Sequence, residues 1–205
     1  MPVVVVAQPK GGVGKSTLAT QIAGYWAHCG HAVLLGDSDR QQSASGWLAQ
    51  RPAHLPAIAR WELQPDFLTR PPAGASHVVI DTPAGAHGWR LGDLLRSADK
   101  LIVPLQPGRF DMAATHGFLA ELRQQRGARQ VAIGLVGMRV NPRTLAAAAL
   151  RDFVAATGLP LLAGLRSTQT YVRLAEQGRS LFDEPPGRVA ADVAQWQGLL
   201  QWLDA

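Results

Sequence analysis

A single cysteine, Cys29, is too few for a disulfide framework or for a cysteine-rich zinc or iron–sulfur site within one chain. Charge is also sparse. Only 17% of the 205 residues are charged against 47% apolar, which excludes a disordered chain and suits one domain, 1–205, with a sizeable core. No apolar run approaches the ~20 residues of a membrane span. The opening Met1-Pro2-Val3-Val4-Val5-Val6 lacks a basic flank and reads as a buried strand, so the expected location is the cytoplasm. Lysine is the scarcest charged type. Lys10, Lys15 and Lys100 leave seventeen arginines to carry the remaining positive charge, and two of the three lysines share one glycine-rich stretch.

What is present is an alternation. Short apolar runs at Val3 to Ala7, Ala32 to Gly36, His77 to Ile80, Lys100 to Pro104 and Val131 to Gly137 are continuous rather than every-other-residue. That pattern marks strands buried on both faces, as in a parallel sheet. Between and after them lie helical stretches at Ser16 to His28, Gln41 to Gln50, Trp89 to Ser97, Asp111 to Arg126, Arg143 to Thr157, Thr168 to Gln177 and Arg188 to Trp202. The expected fold is α/β and doubly wound: a mostly parallel sheet with helices on both faces, in three layers. Arg51 to Ser76, with five prolines, is the least regular part and is expected to hold an edge strand near Ile58 to Leu63.

Three clusters carry chemistry. Lys10-Gly11-Gly12-Val13-Gly14-Lys15-Ser16-Thr17 follows the first strand and opens the first helix, the context of a phosphate-binding loop. Its glycines let backbone amides turn inward, and the helix start adds a positive dipole end. Lys15 is placed to reach β- and γ-phosphates, Ser16 to ligate Mg²⁺, and Thr17 to reach the α-phosphate. Lys10 stands at the wrong end of the loop to reach that loop's own γ-phosphate. It makes better sense reaching a nucleotide held by another subunit, the alternative being a solvated lysine. After the second strand, Asp37 and Asp39 leave the carboxyl end, where open α/β sheets place ligands. One of them could orient a water for attack on phosphate, while Asp39 or Ser43 could instead cap the next helix. The run Val78-Val79-Ile80-Asp81 has the Walker B form, with Asp81 beside the loop as a Mg²⁺ holder.

Together these motifs resemble the ParA/MinD family of deviant-Walker-A P-loop ATPases, over nearly the whole chain. Leu101 to Pro107 and, more loosely, Leu165 to Phe182 add to the match. Within the family the chain is most similar to the small ParA-like partition and positioning ATPases that lack an N-terminal helix-turn-helix. The resemblance implies an ATP-sandwich homodimer with Lys10 on the partner's nucleotide, Lys15 on the phosphates, Ser16 and Asp81 on Mg²⁺, and Asp39 activating water. Asp37 would support the metal or the water. It also implies slow hydrolysis stimulated by a ParB-like or other partner, ATP-dependent binding to non-specific DNA with nucleoid association, and a plasmid, chromosome or other body as cargo. Arg40 replaces the family's usual proline, and Gln8-Pro9 stands where Asn-Gln is common.

The arginines give the DNA reading separate support. From Arg123 to Arg179 there are nine (123, 126, 129, 139, 143, 151, 166, 173 and 179) against Asp152 and Glu176, a local excess above the whole chain's +5. Such a stretch suits phosphate contacts, or simply a solvated basic face. Arg166 and Arg173, then Arg143, are the DNA-contact candidates, and Asn141-Pro142 the candidate base contact. A MinD-like membrane role would need a basic amphipathic end. Here Val193, Trp196, Leu199, Leu200 and Leu203 form a stripe flanked by Asp192 and Asp204, which reads as core packing. A clamped scaffold that binds ATP without hydrolysing it is the other alternative, and intact Asp39 and Asp81 argue against it.

Overall fold

The computed structural model describes residues 1–63, 71–85, 88–125 and 130–205. Seven strands form one sheet: β1 (Val3–Val6), β2 (Val33–Asp37), β3 (Ile58–Trp61), β4 (His77–Asp81), β5 (Lys100–Leu105), β6 (Ala132–Met138) and β7 (Leu161–Leu165). Their spatial order is β3-β2-β4-β1-β5-β6-β7, and every neighbouring pair is parallel. The all-valine β1 lies at the centre, fully enclosed, because successive residues feed opposite layers. Val4 and Val6 join one core with Leu18, Ile22 and Trp26 of α1 (Lys15–His28), α2 (Ser43–Ala49) and the C-terminal helices. Val3 and Val5 join the other, with Leu95 of α3 (Gly88–Ser97), Phe118 and Leu122 of α4 (Arg109–Gln124), and Leu150 and Val154 of α5 (Leu145–Thr157). Two cores on one sheet make the expected three layers.

Three local expectations are corrected. The strand β7 goes unseen in the sequence because Leu161-Leu162-Ala163-Gly164-Leu165 has no β-branched residue. It pairs with β6 through a register shift at Leu135/Val136. The helix expected over Arg188 to Trp202 is two helices, α7 (Pro186–Val193) and α8 (Gln197–Asp204), joined by a tight 3-10 turn at Ala194–Trp196. That turn sinks Trp196 into the core, where its indole Nε1 donates to the Tyr171 hydroxyl at 2.9 Å. It also brings Gly198 so close to β7 that a Cβ there would lie 2.5 Å from the Leu162 carbonyl oxygen. Third, α2 is capped by neither Asp39 nor Ser43. Its N-cap is Gln42, and Asp37, from the end of β2, accepts the Ser45 amide at 2.9 Å instead.

The irregular stretch delivers its edge strand as β3. After α6 (Gln169–Ala175), a short turn at Leu181–Asp183 is tied into the body of the fold. Asp183 accepts from Arg51, from His28 and from the Ser180 amide and hydroxyl. Burial works against that carboxylate, but Arg51 and the other donors outweigh it and hold its pKa at about 2. Of the C-terminal apolar stripe, Trp196, Leu199 and Leu203 are buried in the core, and Val193 and Leu200 are half-buried against it. Among the described residues no helix is long and apolar enough to cross a membrane.

Candidate nucleotide site

Parallel pairing puts the carboxyl ends of all seven strands on one edge, and at its centre β1 leads into the loop 7–14. Gly12 and Gly14 take φ of +70° and +105°, a backbone region that L side chains rarely enter. A Cβ on Gly14 would also lie 2.6 Å from Cε of Met138 at the end of β6, the movable tip of a flexible side chain, so the positive φ is what calls for glycine. Gly11 leaves the loop open toward Ala84, 3.9 Å from where its Cβ would be, and Val13 is buried beneath. Gly14 is also the N-cap of α1, with no side chain capping the first turn. The amides at the start of α1 therefore lack side-chain partners, which is what an anion-binding helix start requires.

Lys15 is buried and folded back on its own loop, its Nζ donating to the Lys10 carbonyl at 3.2 Å. Burial lowers its pKa, and the negative charges of Asp81 and Asp39 partly offset that. Ser16 and Thr17 follow in the first turn, half-buried. Asp81 ends β4 next to β1, fully buried, and neither carboxylate oxygen has a hydrogen-bond partner. Burial pushes its pKa up to about 7. The nearby Ser16 hydroxyl and Lys15 pull it down, while Asp37 and Asp39 push it up. An orphaned, enclosed carboxylate flanked by further carboxylates and a serine hydroxyl is a donor set that fits a hard divalent cation.

Asp37 and Asp39 play different parts. Asp37 Oδ1 accepts the Asp39 amide at 3.0 Å and Oδ2 the Ser45 amide, so this carboxylate fastens the loop 38–42 to α2. Asp39 is half-exposed, with Oδ1 accepting the Gln41 amide at 3.0 Å. Arg40, beside it, points no charge at a partner among the described residues and is exposed.

Lys10 is 40% exposed, and its Nζ pairs with Oδ2 of Asp111 in the first turn of α4 at 2.6 Å. One turn further along α4, the Thr115 hydroxyl accepts from Gln8 Nε2 at 3.0 Å. Side chains two apart on the loop thus meet side chains four apart on the helix, which match in pitch. Gln106, after β5, donates to the Gly12 carbonyl at 3.2 Å. Gln8, Gln106, Asp111, Thr115 and Met138 were not legible as site residues in the sequence. The clue was a polar residue, Gln8, two positions past a buried strand. Met138, the last residue of β6, lies against Gly14, and the loop 139–142 follows it; Asn141 and Pro142 are exposed there, Asn141 Oδ1 accepting the Arg143 amide at 3.2 Å.

The arginines of the stretch 123–179 do not all stand at one edge of the sheet. Arg143 is exposed in the loop before α5. Arg166, after β7, donates through Nε to Asp192 at 2.6 Å, and Arg173, on α6, meets Glu184 at 3.4 Å. Arg179 is spent on Glu184 and the Asp183 carbonyl. Arg123 ends α4 at the opposite edge of the sheet and donates to the Thr157 carbonyl. Arg126 and Arg129 lie outside the described residues.

The family model for the CobQ/CobB/MinD/ParA nucleotide binding domain matches residues 4–181. The chain is 32% identical over 200 residues to "Maintenance of carboxysome distribution protein A" of Gloeobacter kilaueensis, covering 96% of this chain and 85% of that protein. Among solved structures, the MinD cell division protein of Aquifex aeolicus superposes with a TM-score of 0.75 at 17% identity, covering 100% of this chain and 98% of the other. An ATP complex of a Cyanothece McdA variant superposes at 0.74 and 16% identity, covering 97% and 96%. At these identities the superpositions speak for the fold.

Proposed function

Since the chain belongs to the CobQ/CobB/MinD/ParA nucleotide-binding family, we propose that it is a ParA-like positioning ATPase, switched by ATP between monomer and DNA-binding dimer. The observation that carries this reading is the opposite placement of the two lysines of one loop. Lys15 is buried inside it, while Lys10 is half-exposed and held outside it by Asp111. A lysine turned outward at the mouth of a nucleotide site suits a nucleotide bound by a second subunit, to which it brings a point charge.

In this reading the loop amides 11–17 and Lys15 bind the phosphates, and Ser16 and Asp81 hold Mg²⁺. When bound, Mg²⁺ would neutralise charge on the phosphate oxygens. Among the described residues Asp39 Oδ2 accepts no hydrogen bond, which leaves it available to orient an attacking water. Asp37 acts through its neighbours, keeping the Asp39 segment in place. Asn141 and Pro142 flank the base. Lys10 must leave Asp111 before it reaches a second subunit, so that ion pair opposes dimerisation until nucleotide supplies a better partner. Hydrolysis removes the γ-phosphate contacts and lets the dimer part, at a rate set by an activating ParB-like or other partner.

The dimer would present Arg143, Arg166 and Arg173 to DNA phosphates, giving nucleoid association. Similarity to a carboxysome distribution protein brings protein bodies into the range of cargo beside plasmid and chromosome. The membrane alternative loses its usual surface, because the apolar stripe of α7 and α8 is used in the core. The test is mass by light scattering and DNA retention with ATP–Mg²⁺, with ADP and with neither, at two salt concentrations. A dimer and salt-sensitive DNA binding with ATP alone are expected. A monomer in all three states would refute the switch, and equal DNA retention in all three would refute its DNA arm.

A further inference from the structure

Among the described residues five large apolar side chains are exposed: Met1, Phe110, Leu145, Leu161 and Val172. Two are far more exposed than the rest, Leu145 at 91% and Phe110 at 83%. They are not scattered. Phe110 is the second residue of α4 and Leu145 the first of α5. Those helices follow the adjacent strands β5 and β6 and bury their inner faces in the same core layer. Both side chains therefore stand at the carboxyl edge of the sheet and on the same side of it, the edge that carries the nucleotide loop.

Phe110 also precedes Asp111, whose carboxylate holds Lys10 at 2.6 Å. Phe110 thus adjoins the residue that Lys10 would leave, and Leu145 stands along the same edge, at the start of the next helix. Water-exposed phenylalanine and leucine beside a charged mouth are costly in a monomer that stays alone. They gain most when a partner covers them. A twofold dimer closing over this mouth brings the edge of each subunit against the same edge of the other, and an apolar patch is self-complementary where a charged one repels itself. We propose that Phe110 and Leu145 are the apolar seat for a second copy of this chain, covered when the nucleotide-bound dimer forms. This rests on the dimer-switch reading and names the side chains that would give the dimer its hold, with Lys10 and the nucleotide giving it its dependence on ATP.

The experiment compares the wild-type chain with Phe110→Ser/Leu145→Ser in AMPPNP and Mg²⁺, by sedimentation over a protein concentration series, with binding of a fluorescent ATP analogue measured in parallel. Both residues are exposed, so the melting temperature is expected to be unchanged. The concentration for half-dimerisation should rise by about tenfold or more, with the affinity of the monomer for the analogue within about twofold of wild type. Dimerisation of the double variant at the wild-type concentration would overturn the proposal and leave the patch to another partner, such as an activating protein. Loss of analogue binding would also overturn it, placing the patch in the nucleotide pocket. A wild-type chain that stays monomeric would instead sink the dimer switch itself.

Discussion

Asp81 stands directly opposite Asp37 across the β2–β4 ladder, and the backbone treats the two carboxylates in opposite ways. Both Asp37 oxygens accept amides, whereas neither oxygen of Asp81 has a hydrogen-bond partner in place among the described residues, only the Ser16 hydroxyl nearby. One acid is satisfied by the fold and the other is left for something the fold does not contain.

That difference predicts a pH dependence. The pKa of Asp81 in the fold is about 7, against about 3.9 in an unfolded chain. Between those values the folded state keeps a proton that the unfolded state has lost, so stability without metal falls as pH rises from about 4 to about 7. Melting curves from pH 5 to 8 in EDTA should show this decline. Asp81→Asn should flatten it and raise the melting temperature at pH 8. ATP with Mg²⁺ should remove the decline from wild type but not stabilise the variant. A wild-type melting temperature that rises with pH over this range would contradict the assignment.

In the proposed switch, Lys15 and Asp39 have different tasks, and their variants should separate binding from turnover. Lys15→Ala removes the buried charge inside the loop, and binding of a fluorescent ATP analogue should fall below detection. Asp39→Ala leaves the loop intact and should bind ATP, dimerise and persist as a dimer, with hydrolysis reduced by about a hundredfold or more. An Asp39→Ala chain that turns over ATP at the wild-type rate would remove Asp39 from the reaction.

Asp111→Asn should act in the opposite sense from a damaging change. It neutralises the group that holds Lys10 within one chain, at a pair already partly open to solvent. The ATP concentration for half-dimerisation should fall by about threefold, matching the modest strength of an exposed ion pair. A rise would mean that Asp111 serves the dimer rather than opposing it.

For DNA, the ion pairs dictate which substitutions are informative. Arg166 and Arg173 neutralise Asp192 and Glu184, whose side chains are 3% and 1% exposed. Reversing either charge would set acid against buried acid. Arg166→Gln/Arg173→Gln should therefore lower the melting temperature as well as weaken DNA retention. Arg143→Glu, with no such partner among the described residues, should weaken retention and flatten its salt dependence at an unchanged melting temperature. If Arg143→Glu binds DNA as wild type does, the loop before α5 is not part of that surface.

Much of this site was legible in the chain because its signals are local. A strand, a glycine run, a lysine and a helix start are contiguous at residues 3–28, an order that suits backbone amides turned toward an anion. Asp81 was legible because an apolar strand ending in an acid has few other uses beside such a loop. The strand β7 was not, because Leu161–Leu165 is made strand by its neighbour β6 rather than by its own side chains. Asp111 was not, because its partner lies 101 residues earlier.

The sequence by itself determined the α/β alternation, the glycine-rich loop between the first strand and helix, and the acids at the strand ends, since each depends on residues close together in the chain. Only the tertiary structure decided that Asp37 is a fastener and Asp81 an orphan, that Lys10 is held by Asp111, and that the arginine stretch is divided between two edges of the sheet. Those outcomes depend on which strand lies beside which and which backbone amides are left over. Long-range packing settles both, and no local pattern encodes them.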